Sequence, residues 1–206
     1  MIRQTASNQP LGGRTTVVID AGHGGIDGGA VSCSGISESS INLEIALRLE
    51  NLFHFLGYQT VMIRTTDRSV ATEGDTISQI KRSDLKERVR IVRQTENAFL
   101  ISIHQNMFQE SRYSGAQVFY AATQNSRDVA ALLQETLCKT LNPGSNRKIK
   151  QASGIYLLEH VSCGAVLVEC GFLSNPQEEE KLRSASYQKQ LCCVIAAAFA
   201  SFNPNT

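Results

Sequence analysis

No run in this chain approaches the roughly eighteen consecutive apolar residues of a membrane-spanning helix, and its amino-terminal MIRQTASNQPLGGRTT lacks the apolar core of a signal peptide. The chain as written is therefore expected to be soluble. No charge dominates either: 20 Lys and Arg stand against 19 Asp and Glu, a net charge of +1, which recommends neither nucleic acid nor a strongly anionic partner on global electrostatics. The six cysteines, at 33, 138, 163, 170, 192 and 193, contain no C-x-x-C pair. They do not read as a disulfide framework, and surroundings such as LCCVIAAAF predict that most are small core residues. Internal repeats, low-complexity tracts and a second domain are also absent, and 206 residues suit one compact domain. Residues 1–15 are expected to be a flexible stub and 16–206 the folded domain. Removal of an export signal or anchor would leave such a stub, so the polar start is not read as cytoplasmic.

What is present is an alternation of buried-strand and amphipathic-helix patterns. After the apolar run VVID, the segment SSINLEIALRLENLFHFLGY places Ile41, Ile45, Leu49, Leu52, Phe53 and Leu56 at helical spacing, with Gly57 as stop signal. QTVMIR then reads as a strand ending at Arg64, so residues 17–64 form a βαβ unit. TTDRSVATEGDTISQIKRSD reads as a polar irregular connection, after which Leu85, Val89 and Val92 resume helical spacing. FLISIH and AQVFYAA are strands, and SRDVAALLQETLCKTL is a helix closed by Pro143 and Gly144. The basic NRKIKQ reads as a loop, IYLLEH as strand or helix turn, and GAVLVECGF as a buried strand. Pro176 opens two helical segments, with acids 178–180 where the helix dipole favours them. This order predicts an α/β fold: an open, twisted, largely parallel (mixed) sheet with helices on both faces.

The chemistry gathers around VVIDAGHGGIDGG, residues 17–29, where a β-branched run breaks into an acid, a histidine and five glycines. G-H-G-G lacks the spacing and the lysine of a P-loop. His23 follows one strand, His104 ends a second and Glu169 ends a third, and Glu38 lies just before the first helix, fifteen residues after His23. Parallel strands bring their carboxyl ends to one edge, where ligands usually bind. Two imidazoles and a carboxylate, with one position left for water, are the ligand set of a hydrolytic zinc site; a further carboxylate must then carry the proton to the leaving group. The apolar frame of Glu169 suits such a proton carrier. Taken singly, His23 and His104 also read as satisfied turn or strand-end residues, Glu38 as a helix N-terminal acid, and Glu169 as an ion-pair partner. His54 and His160 read as structural, with His160 in reserve. Cys170 with His104 as base is a rival nucleophile. Arg64 and Asn106 are candidates for binding substrate or for tying loops together.

The ordered series IDAGHGGIDGGA, E-x-x-x-N at Glu38 and Asn42, ISIHQN and LVECGFLSN resembles the zinc-dependent N-acetylmuramoyl-L-alanine amidases. The resemblance implies zinc held by His23, Glu38 and His104, with Glu169 as the catalytic carboxylate. It implies cleavage of the amide between the lactyl group of muramic acid and the L-alanine of the peptidoglycan stem peptide. SGAQVFY, IYLLEHV and DTISQIKRSDLKERV look most like the germination-specific, spore-cortex type, which acts before muramic lactam formation. Two positions depart from the family pattern, Ala21 where proline is common and Ser39 where lysine is common, and neither removes a ligand. The inserted regulatory helix of cell-division relatives has no counterpart here, since Asn125 and Ser126 follow AQVFYAA almost at once. The resemblance further implies an extracytoplasmic setting, peptidoglycan rather than nucleic acid as partner, and an accessory or regulatory protein. A zinc carboxypeptidase and a non-catalytic wall-binding module are the alternatives.

Overall fold

The computed structural model describes residues 15–202; residues 1–14, on which all but Thr15 of the expected stub falls, and residues 203–206 lie outside the described residues. The run TVVI opens β1 (Thr16–Ala21), whose side chains alternate between two cores: Val17, Ile19 and Ala21 face one, Val18 the other. There follow α1 (Glu38–Phe55), β2 (Gln59–Met62), α2 (Ile77–Gln94), β3 (Ala98–Asn106), β4 (Gln117–Tyr120) and α3 (Ser126–Thr140). The chain continues through β5 (Lys150–Gln151), α4 (Tyr156–His160), β6 (Gly164–Phe172), α5 (Pro176–Arg183) and α6 (Ala185–Ser201). The strands stand in the order β2-β1-β3-β6-β4-β5. Every neighbouring pair is parallel except β4 with β6. This is the expected largely parallel, mixed sheet.

Helical crossovers cover both faces of such a sheet. The larger core packs α1, α3 and α6 against it, with Phe53 meeting Tyr58 and Phe199 edge-on at ring-centroid distances of 5.4 and 5.5 Å. The smaller core, on the opposite face, gathers Val89 and Val92 of α2 with Leu157 and Leu158 of α4. No helix among the described residues is long and apolar enough to cross a membrane.

The structure departs from the sequence pattern in several places. α2 starts at Ile77, well before Leu85, because Thr76 and Gln79 form a capping box: the Thr76 side chain accepts from the Gln79 amide and the Gln79 side chain accepts from the Thr76 amide. The polar stretch was thus hiding two helical turns. IYLLEH resolves as the short helix α4, and the basic loop contributes the two-residue edge strand β5. β2 ends at Met62, so Arg64 stands beyond the strand. Only Cys170 and Cys192 of the six cysteines are buried; Cys33 and Cys193 are exposed, and all six are free.

Candidate metal centre

Parallel pairing of β1, β3 and β6 brings their carboxyl ends to one edge. There Ala21 pairs with Ile103 and His104 pairs with Glu169, so the His104 and Glu169 side chains leave neighbouring strands side by side. His23, two residues beyond β1, sits in the left-handed region at φ 61°, an uncommon conformation outside glycine. Two arginines grip the carbonyls that define this turn. Arg64 donates to the Ala21, Gly22 and Ser39 carbonyls at 2.8, 2.9 and 2.8 Å, tying the His23 loop to the first turn of α1. Arg88 donates to the Ala21 and His23 carbonyls at 3.0 and 2.7 Å and to the carboxylates of Asp20 and Asp84. Ser102 completes the frame by donating to Asp20 at 2.6 Å.

Glu38 opens α1 and points back under this loop. Its Oε1 accepts from the Gln105 amide at 3.1 Å and the Asn42 side chain at 3.1 Å, and lies 3.0 Å from His104 Nδ1. Its Oε2 accepts from the Ala30 amide at 3.0 Å and lies 3.3 Å from His23 Nε2. The two imidazoles face each other edge-on with centroids 5.0 Å apart. One ligand atom from each of His23, Glu38 and His104 falls within 4.8 Å of the others. On the far side of His23, Nδ1 meets Asp27 Oδ2 at 2.9 Å, and Lys81 holds Asp27 Oδ1 at 2.8 Å. A proton on Nδ1 therefore serves Asp27 and leaves the Nε2 lone pair aimed at the cluster, the arrangement that orients a metal-binding histidine.

These charges reshape one another. Burial alone would raise the Glu38 carboxyl, but hydrogen bonds and charge from His104 and His23 hold it well below the ordinary carboxylate range. Burial alone would lower His23, yet Glu38 and Asp27 raise it to about 9. Glu169 behaves oppositely: burial pushes it up to about 7 against the pull of His104. Its Oε2 is buried and has no hydrogen-bond partner among the described residues.

Three of the four groups open into a cleft between α2 and α4. His23, His104 and Glu169 line a cavity of about 340 Å³ together with Ser102, Leu167 and Tyr156, and Glu38 closes the cluster behind the histidines. A larger open depression of about 920 Å³ near Arg112, Arg147 and Lys181 contains none of the four. The site fits an ion: three donors converge and an unpartnered carboxyl waits beside them. A side chain at Gly29 would fill the cradle, its Cβ lying 2.6 Å from Glu38 Oε2 and 2.7 Å from the His23 ring.

Of the other predicted site residues, Arg64 is corrected. Its side chain is 1% exposed and its donors are taken by backbone carbonyls, so it ties loops and does not reach substrate. Asn106 is half-buried at the end of β3, beyond an irregularity in register, and does not line the cavity. Cys170 packs into the larger core on the face opposite Glu169, where burial drives its thiol well above the ordinary value; it is no nucleophile. His54 is exposed and partners Thr60, and His160 is exposed and stacks on Tyr156 at 3.9 Å. Sequence reasoning missed Asp20, Asp27, Lys81, Arg88 and Ser102. Asp27, four residues after His23 in a glycine-rich loop, was the one with a local signal.

The sequence matches the N-acetylmuramoyl-L-alanine amidase family over residues 17–201. It is 37% identical over 188 residues to the germination-specific N-acetylmuramoyl-L-alanine amidase of Bacillus subtilis, covering 90% of this chain and 78% of that one. Among solved structures, the CwlD amidase of Clostridioides difficile, in complex with the GerS lipoprotein, superposes with a TM-score of 0.86 at 37% identity, covering 89% of this chain and 95% of that one. An N-acetylmuramoyl-L-alanine amidase from Clostridium difficile 630 gives a TM-score of 0.78 at 29% identity, over 90% and 94%.

Proposed function

This chain belongs to the N-acetylmuramoyl-L-alanine amidase family and is an amide hydrolase of peptidoglycan; we propose that it works through zinc held by His23, Glu38 and His104, with Glu169 as its acid and base. The observation that carries this reading is the convergence of His23 Nε2, His104 Nδ1 and the Glu38 carboxylate beside the unpartnered carboxyl of Glu169. Two imidazoles and one carboxylate match zinc in its hydrolytic form. Bound there, zinc acidifies a water and polarises the carbonyl of the scissile amide.

The protein groups do the rest. Glu38 is held ionised and in place by its backbone and side-chain donors, so it enters the site as an anion without rearrangement. Glu169 sits where a carboxyl can be found in either protonation state near neutrality. It takes the proton of the attacking water at Oε2 and returns it to the departing L-alanine nitrogen, which would otherwise leave as a poor anionic leaving group. Ser102 and Asp20 keep the floor of the cleft rigid beneath this exchange.

A carboxypeptidase would need a free cation within the catalytic cavity, close enough to the scissile bond to clamp the terminal carboxylate. Of the Lys and Arg side chains lining it, Lys81 is held by Asp27 and Arg88 by Asp20 and Asp84, which favours the amidase reading. The similarity to the germination-specific enzyme and to CwlD supports a role in spore-cortex maturation, outside the cytoplasm, with an accessory protein.

The deciding experiment measures the metal content of purified protein together with the amino termini released from muropeptides. One zinc per chain and new L-alanine amino termini are expected, both abolished by chelation and restored by zinc. Chelator-resistant turnover would overturn the metal assignment.

A further inference from the structure

We propose that the cationic groove between α2 and α4 receives the acidic stem peptide, and so sets the direction in which the muramoyl peptide lies across the site. The inference rests on the amidase reading of the cleft.

The catalytic cavity, about 340 Å³, is at the low end of the roughly 300–1,000 Å³ of small-molecule sites. It encloses the scissile amide and its neighbours, not a sugar with a full peptide. A second cavity of about 400 Å³ follows between the same two helices, and Tyr156 lines both. Lys86, Arg90 and Arg93 of α2 and His160 of α4 surround it over the apolar floor of Val89, and no carboxylate lines it.

The cations are not equivalent. Arg90 spends its fork on Glu87, at 2.5 and 2.7 Å. Arg93 donates to the neutral carbonyl of His160, at 3.0 and 2.6 Å, so that contact leaves its charge uncompensated. Lys86 is exposed at the rim of the same cavity. The positive field of the groove therefore comes from Lys86 and Arg93.

The two halves of the substrate differ in charge. On one side of the scissile amide lies a sugar with hydroxyl and acetamido groups, which is neutral. On the other lies a peptide bearing free carboxylates. A cationic groove opening from one end of the cavity discriminates between these halves. The peptide runs past Tyr156 toward Lys86 and Arg93, and the glycan leaves from the opposite end.

The test uses the zinc-loaded enzyme and three substrates: an N-acetylmuramoyl peptide with free carboxylates, the same peptide with its carboxylates amidated, and N-acetylmuramoyl-L-alanine methylamide. The acidic peptide should exceed its amidated form by roughly tenfold in kcat/KM, with the preference shrinking as salt is raised. Lys86→Glu should erase that preference through KM, with kcat and the methylamide rate unchanged. Arg93→Gln should reduce it, and Lys86→Arg should retain it. Indifference of the native enzyme to amidation, or an equal loss on all three substrates in Lys86→Glu, would overturn the groove assignment while leaving the amidase intact. Failure to cut any of the three would instead overturn the amidase reading beneath it.

Discussion

The first turn of α1 and the carboxyl end of β6 each deliver a glutamate to the same cleft, and the two are treated in opposite ways. Glu38 meets two imidazoles, two backbone amides and the Asn42 side chain. Glu169 is half-buried, yet its Oε2 is shut away from solvent and has no partner among the described residues. The first carboxyl is driven well below its ordinary range and the second rises to about 7. Burial acts on both in the same direction, so the difference lies in the donors. A ring of donors makes a permanent anion fit to hold a cation; their lack makes a group that can bind and release a proton.

Glu38→Gln attacks the saturated side. It should abolish metal binding and lower kcat/KM by more than about a thousandfold, read from metal content and muropeptide hydrolysis together. Glu169→Gln attacks the bare side: activity should fall by about 10²- to 10⁴-fold while zinc stays bound. Co-purification of Glu169→Gln without metal would erase the contrast, since Glu169 would then be a ligand.

Asp27 sharpens the comparison as an intermediate case, with His23 on one oxygen and Lys81 on the other. Asp27→Asn should weaken metal affinity by about 10- to 100-fold, measurable as a shift in cobalt titration by visible absorption, without removing the site. Asp20 is a second saturated acid. Burial would raise it, but Arg88, His104 and Ser102 hold it below its ordinary value. Its folded pKa being depressed, its contribution to stability is present above the unfolded value of about 3.9 and is lost as pH falls through the folded one. Asp20→Asn should lower the melting temperature at neutral pH and flatten its decline on acidification, followed by circular dichroism.

Much of the site was legible because strand ends announce themselves. VVID, FLISIH and VLVE each break from apolar into polar within one residue, and parallel pairing turned three distant breaks into one edge. Glu38 was legible as a helix-opening acid. The support around them was not. Lys81 and Arg88 stand on a helix whose first turns carry too few apolar residues to show a period, and only the Thr76–Gln79 capping box marks the start. Arg64 stayed open between binding substrate and tying loops because a lone arginine after a strand has no sequence feature that distinguishes water from backbone carbonyls as its partners.

Local periodicity and residue type are properties of adjacent positions, so the sequence alone carried most of the elements and the kinds of chemistry available, though not the start of α2, the strand β5 or the state of IYLLEH. It placed two histidines and two glutamates at element ends, and it carried the family motifs in order. Only the tertiary structure decided which glutamate is surrounded by donors and which is left bare, that Arg64 and Arg88 spend their charge on the His23 loop, and that α2 and α4 face each other across a cationic groove. Those outcomes depend on distances between residues up to 67 positions apart in the chain, and solvation, hydrogen bonding and pKa respond to neighbours in space.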